Sequence, residues 1–169
     1  MPLRFTAQGA GDGAVAERPH AALQAYQRAA DPTIKVRLDL ANKVLKINRD
    51  FLNFTVTTGQ PGYLYLLNVG TDGKFYQLFP SKNDPENLLE PGVHRFPRGK
   101  LGLQALGPEG KEYFWAYLSP TRKSFAGALM GNGPYAAAPA TVSTVRSLGE
   151  VMLSGRFGAS DVATIVEVD

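Results

Sequence analysis

Gly62-Tyr63-Leu64-Tyr65-Leu66-Leu67-Asn68-Val69-Gly70-Thr71-Asp72-Gly73-Lys74 is the stretch that decides the fold. Tyr63 to Leu67 is apolar on both faces of an extended chain, which predicts a strand covered on both sides at the centre of a sheet. Asn68 to Gly73 supplies turn residues, and Asp72-Gly73 suits the positive φ of a tight connection. Lys74 to Phe79 runs back as the hairpin partner, and Pro80 ends it. After the turn Pro108-Glu109-Gly110-Lys111, Glu112 to Ser119 reads as a second strand that is apolar on both faces.

Around these two strands the alternation has period two. Ile34, Val36, Leu38 and Leu40 alternate with Lys35, Arg37 and Asp39. Ala41-Asn42-Lys43 breaks the pattern and Val44 to Asn48 resumes it. Leu52, Phe54 and Val56 alternate with Asn53, Thr55 and Thr57, and Gly59-Gln60-Pro61-Gly62 closes that strand. Ser81 to Gly92 is a polar loop, Val93 to Phe96 and Leu101 to Leu106 are short strands, and Val162 to Val168 is the last.

Two helices are expected. Pro19 to Ala30 places Leu23 and Tyr26 three apart, and Asp31-Pro32 stops it because the residue before proline avoids the helical region. After Pro139, Val142, Val145, Leu148 and Met152 recur at helical spacing, with Gly155 where the helix would end. Ser119 to Pro139, centred on Gly131-Asn132-Gly133-Pro134, is the least regular stretch and fits a functional loop or a disordered one. The fold expected is mainly β, sandwich-like antiparallel sheets with one or two packed helices, with α+β as the alternative. Residues 1–18, rich in Gly and Ala, read as a flexible lead-in or linker, and 19–169 as a single globular domain.

The composition excludes several chemistries. Of 169 residues none is Cys, which removes disulfides, thiolate metal sites and a cysteine nucleophile. His20 and His94 are the two histidines, too few for a histidine metal cluster. A net charge of +3, from 18 basic and 15 acidic residues, does not point to nucleic acid. No apolar run is long enough to span a membrane as a helix, and Met1 to Gln8 has no secretory stretch. No Gly-x-Ser-x-Gly elbow, P-loop ending or dinucleotide fingerprint occurs. Glu86, Glu90, Glu109 and Glu112 lie near turns, where charge belongs without a catalytic role, and Asn68, Asp72, Asn83 and Asp84 do not form a calcium loop. No catalytic residue, metal or cofactor is expected.

The block Gly62 to Lys74, followed by Leu78-Phe79-Pro80-Ser81, resembles a bacterial family of domains of unknown function, numbered forty-three eighty-four. Its "GYLY…DGK…LFP" core is preceded by an L-x-F-x-V-x-S strand, which Leu52-Asn53-Phe54-Thr55-Val56-Thr57-Thr58 matches closely. Asn87-Leu88-Leu89-Glu90-Pro91-Gly92 and Gly107-Pro108-Glu109-Gly110-Lys111-Glu112 occupy the family's N-x-[ILV]-x-x-G segment and G-P-x-G-x-[ED] turn. The resemblance covers about residues 44–119. It implies a non-catalytic accessory domain, usually C-terminal to caspase-like peptidase or protein-kinase domains, and in some members standing alone in an envelope or secretion setting. Ala7 to Ala16 then fits a linker to an upstream partner domain, the alternative being that Met1 is the native start.

Two surfaces are candidates for binding. Tyr63 and Tyr65 share one face of their strand, and Tyr113, Trp115 and Tyr117 one face of theirs. An open stripe of these rings suits a glycan or small ligand; a stripe covered by the C-terminal helix is core. His94-Arg95-Phe96-Pro97-Arg98-Gly99-Lys100 is basic, and Arg95, Arg98 and Lys100 suit an acidic partner or a charge-protected strand edge. The expected function is mediation of protein–protein contact in a bacterial envelope, secretion or signalling context. Its alternative is glycan or small-ligand binding on the Tyr/Trp face. Periplasm, envelope and cytoplasm all remain open as compartments.

Overall fold

The computed structural model describes residues 19–98, 102–129, 135–139 and 141–169; residues 1–18, Lys100 and the stretch 131–134 lie outside the described residues. The chain runs α1 (Pro19–Ala29), β1 (Val36–Leu40), β2 (Val44–Lys46), β3 (Phe51–Leu52), β4 (Phe54–Thr58), β5 (Gly62–Val69) and β6 (Lys74–Phe79). It continues through β7 (Leu88–Leu89), β8 (Gly92–Phe96), β9 (Leu103–Gln104), β10 (Gly110–Ser119), β11 (Ala136–Pro139), α2 (Val142–Met152), β12 (Gly158–Ala159) and β13 (Ala163–Val168).

The main sheet follows the order β11-β6-β5-β10-β13-β2, with β7 added to β5 and β12 to β10. A second sheet, β1-β4-β8, is antiparallel, and β3 pairs with β9. The mainly β expectation is met, except that β13 and β2 pair in parallel and bring the last strand beside an early one. The hairpin forms as its sequence requires: Gly73 sits at φ 78, Gly70 N–H donates to Lys74 O at 2.9 Å, and the Asp72 carboxylate accepts Lys74 N–H at 3.1 Å. Asn87 pins the following loop to β5, its amide donating to Leu64 O at 3.1 Å while its own carbonyl accepts Leu64 N–H at 2.9 Å.

Because β5 and β10 are apolar on both faces, both faces of the main sheet are covered. On one, Leu64, Leu66, Phe114, Ala116, Leu118 and Ile165 pack against Phe54, Val56 and Phe96 of the second sheet. Phe54 and Phe96 stack there with centroids 5.5 Å apart. On the other, Tyr65, Leu67, Val69, Phe75, Trp115 and Tyr117 meet Tyr26 of α1, Leu148 and Met152 of α2, and Phe125, Leu129 and Phe157 from loops. The result is three layers: small sheet, main sheet, helices. α2 starts at Thr141, whose hydroxyl accepts Thr144 N–H at 3.2 Å, a cap for an otherwise orphaned donor.

Tyrosine hydroxyls tie the helical layer to the sheet. Tyr65 donates to Lys123 O at 2.8 Å and accepts Lys123 N–H at 2.5 Å, which holds the loop after β10. Tyr117 donates to Met152 O at 3.1 Å at the end of α2, and Tyr26 of α1 donates to Val145 O in α2. Gly158 allows β12 to pass beneath the chain before β1, since a Cβ there would lie 2.2 Å from Ile34 O.

These contacts set the expected cost of two substitutions. Trp115→Ala empties a site at 0% exposure and should cost about 3–5 kcal/mol in urea unfolding. Gly158→Ala forces a backbone shift and should cost about 1–3 kcal/mol in the same measurement. A Trp115→Ala loss below about 1 kcal/mol would mean that the helical layer does not pack on this face.

Candidate functional site

The aromatic stripe is brought onto one face, as its alternation requires. Cross-strand register sets Tyr117 opposite Tyr65 and Ser119 opposite Tyr63. That face is closed. Tyr65, Trp115 and Tyr117 are buried beneath α2 and the Phe125 loop, with Tyr65 and Phe125 edge-to-face at 5.4 Å. Burial raises the Tyr117 phenol above its ordinary value, as expected of a hydroxyl committed to a buried carbonyl. Only Tyr63 and Tyr113 reach the margin, half-buried, and the Arg122 guanidinium lies over the Tyr63 ring at 5.3 Å. Tyr65, Trp115 and Tyr117 therefore form core, with Tyr63 and Tyr113 packed at its margin, and an open ligand groove is not what the rings build. The Trp115 indole N–H has no hydrogen-bond partner among the described residues.

The basic stretch divides into residues with different roles. Arg95 lies exposed on β8 opposite Thr55 of β4. Arg98 is engaged instead: its guanidinium donates to both carboxylate oxygens of Asp84 at 2.6 and 2.8 Å and to Glu86 O at 2.8 Å. It also lies over the Phe79 ring at 4.8 Å and the Phe96 ring at 5.6 Å. Arg98 thus fastens the loop after β6 to the end of β8, and it is not available as a docking cation. Lys100 is outside the described residues. His94 Nε2 lies 2.7 Å from Glu90 O, the same carbonyl to which the Thr58 hydroxyl donates at 3.3 Å.

Sequence reasoning missed a pair of carboxyl groups. Glu112 is not a turn residue on the surface; it is buried in β10, in phase with Phe114, Ala116 and Leu118. Glu167 of β13, in phase with Ile165, is 4% exposed. The signal was present: two residues from a core position along a strand is the same face. The two carboxyl groups share a hydrogen bond, the Asn68 amide beside them donates to Tyr113 O at 3.1 Å, and Glu167 Oε1 accepts Gly107 N–H at 2.9 Å. Desolvation, then the charge of Glu167, pushes the Glu112 carboxyl up to about 9 from an ordinary 4.5.

The pair lines a cavity of about 240 Å³ at the end of the sandwich that the small sheet leaves uncovered. Leu45, Leu52, Leu78, Leu103 and Phe114 form its apolar walls, and the segment 103–107 passes across it. Asp72, on the β5–β6 turn, also faces it and accepts the Tyr76 hydroxyl. Among the described residues, no group of three or more His, Asp or Glu side chains is placed to hold a metal ion.

Residues 45–122, somewhat less than half of the chain, match the model of the family described as Domain of unknown function (DUF4384). No curated protein and no solved structure matches the chain. The matched segment runs from β2 to just beyond β10. It contains Arg95, Arg98, Glu112 and all five rings of the stripe, while Glu167 and both helices lie outside it.

The raised Glu112 value fixes a pH dependence. Between pH 4.5 and about 9 the folded protein holds a proton that the unfolded chain has released. Stability contributed by this group is therefore complete below 4.5 and falls as pH rises through that window. Glu112→Gln should remove the loss: equal to wild type near pH 4, and more stable by on the order of 2 kcal/mol at pH 8. Urea unfolding at the two pH values checks it, and an equal difference at both would contradict the assignment. Arg98→Ala should cost about 1–2 kcal/mol by the same method, through the lost bidentate pair and ring contacts.

Proposed function

We propose that the domain is a non-catalytic interaction module of a bacterial envelope, secretion or signalling system, which contacts another protein through the open edge of β8. The observation that carries this reading is the closure of the main sheet on both faces, which leaves edges and loops as contact surface. β8 pairs with β4 on one side, and no strand among the described residues pairs with the other. A row of backbone donors and acceptors along such an edge is a template for an added strand.

Its side chains suit the same role. Val93 is 65% exposed and Leu88, just upstream on β7, is 57% exposed. Arg95 follows Val93 on the same outward face, with no ion pair among the described residues. The other edges offer less. β1 carries an Arg37–Asp39 ion pair at 2.8 Å on its outer face, and β2 is three residues long. The accessory role and its setting come from the family resemblance. A glycan or small-ligand reading on the Tyr/Trp face would require α2 and the Phe125 loop to lift from the sheet.

The test starts from protein captured from extracts of the native cells and then purified for direct titration. Val93→Lys combined with Arg95→Glu should weaken that complex at least about tenfold, or ~1.4 kcal/mol, with unfolding unchanged. Arg98 is left intact because its loss would disturb the loop. Equal affinity of wild type and variant would remove the β8 edge from consideration.

A further inference from the structure

The cavity at the end of the sandwich has a chemistry that neither the fold nor the edge-strand reading uses. We propose that it binds an organic ammonium group, the charged end against the Glu112–Glu167 pair and the apolar body against Leu45, Leu52, Leu103 and Phe114.

Three properties of the cavity lead there. Its lining includes three carboxyl groups, Glu112, Glu167 and Asp72, and among the described residues no Lys, Arg or His. An anion is thereby excluded, and a cation would supply the charge that the site lacks. Its walls combine leucines and a phenylalanine with the neutral side chains of Asn68, Thr71, Tyr76, Gln104 and Tyr135, and no triad of acidic or histidine side chains placed to hold a metal ion occurs there among the described residues. A bare metal ion would lack a converging set of charged ligands, whereas an alkylammonium presents a cationic head and an apolar tail to matching surfaces. At about 240 Å³ the space admits a short alkyl chain.

Protonation completes the argument. Without a ligand, Glu112 holds a proton because burial and the charge of Glu167 disfavour a second negative charge. An ammonium seated between the two carboxyl groups takes over that role. The Glu112 proton leaves to solvent, and two carboxylates then face one cation. The titratable groups facing the pair are Asp72 on the β5–β6 turn, Tyr76 on β6 and Tyr135 before β11. β2, β3 and β9 contribute Leu45, Leu52, Leu103 and Gln104, none of them titratable.

The ammonium can come from a free amine or from a lysine side chain of another protein. Two probes separate the sources: hexylammonium chloride, and Nα-acetyl-lysine N-methylamide with its side-chain ammonium free. 1-Hexanol is the uncharged control, and the Gly107 and Glu112 amide signals of the full chain report binding by NMR. At least one ammonium probe should bind saturably below on the order of 10 mM. It should bind at least about tenfold tighter than 1-hexanol, and its affinity should rise by up to roughly tenfold per pH unit between pH 6 and 8. Glu112→Gln, which keeps the shape of the site and a folded protein, should remove the pH dependence and the preference over hexanol together. Binding of the lysine probe alone assigns the site to a partner's side chain, and binding of hexylammonium assigns it to a free amine. No saturable binding of either probe, equal binding of hexanol, or an unchanged preference in Glu112→Gln overturns the proposal. The β8 substitutions leave this cavity untouched, so the two readings fail separately.

Discussion

The structure depends on one constraint: β5 and β10 are apolar on both faces, so neither face of the sheet they centre can be left to water. The burial of Leu64, Leu66, Phe114 and Leu118 recruits β1, β4 and β8 as a second sheet. Burial of Tyr65, Trp115 and Tyr117 recruits α1, α2 and the Phe125 loop. Tyrosine serves better than phenylalanine on the second face because the covering layer brings unpaired backbone groups with it. The Tyr65 and Tyr117 hydroxyls satisfy Lys123 and the carbonyl of Met152, so the packing and the hydrogen bonds select the same arrangement.

The proposed function follows from what that closure leaves over. A sheet with both faces covered can recognise a partner only at its edges, its loops or its ends. The β8 edge presents backbone groups beside Val93 and Arg95, while the uncovered end of the sandwich presents a small cavity with two buried carboxyl groups. Arg98, adjacent in sequence to the first and rich in contacts, belongs to neither. It is spent on Asp84, Glu86 and two rings.

Much of this could be read from the residues. The hairpin at Gly62–Phe79, the two-sided strands, the strand period of Val36–Leu40 and Phe54–Thr58, and both helices follow from local pattern and turn chemistry. What could not be read is pairing between distant segments. Ala136–Pro139 carries almost no strand signal, yet it pairs with β6 in the main sheet. The parallel pairing of β13 with β2 depends on the layers already formed around them. Glu112 was misread because proximity to a turn outweighed its phase with Phe114. Glu167 acquires meaning only when β13 lies beside β10. Exposure of the aromatic stripe was likewise a tertiary matter, since the strands show that the rings share a face and the covering helix lies some thirty residues on.

The central claim is that the helical layer closes the aromatic face of the sheet. Trp115 is the one tryptophan of the chain, so its fluorescence reports on that face alone. Acrylamide quenching of the native protein should be at least about tenfold weaker than in urea, because a fully buried indole is reached only through opening of the structure. The emission should lie to the blue of that of the unfolded chain. Quenching in the native state equal to that in urea would show the ring open to solvent, and with it a sheet face available to ligands.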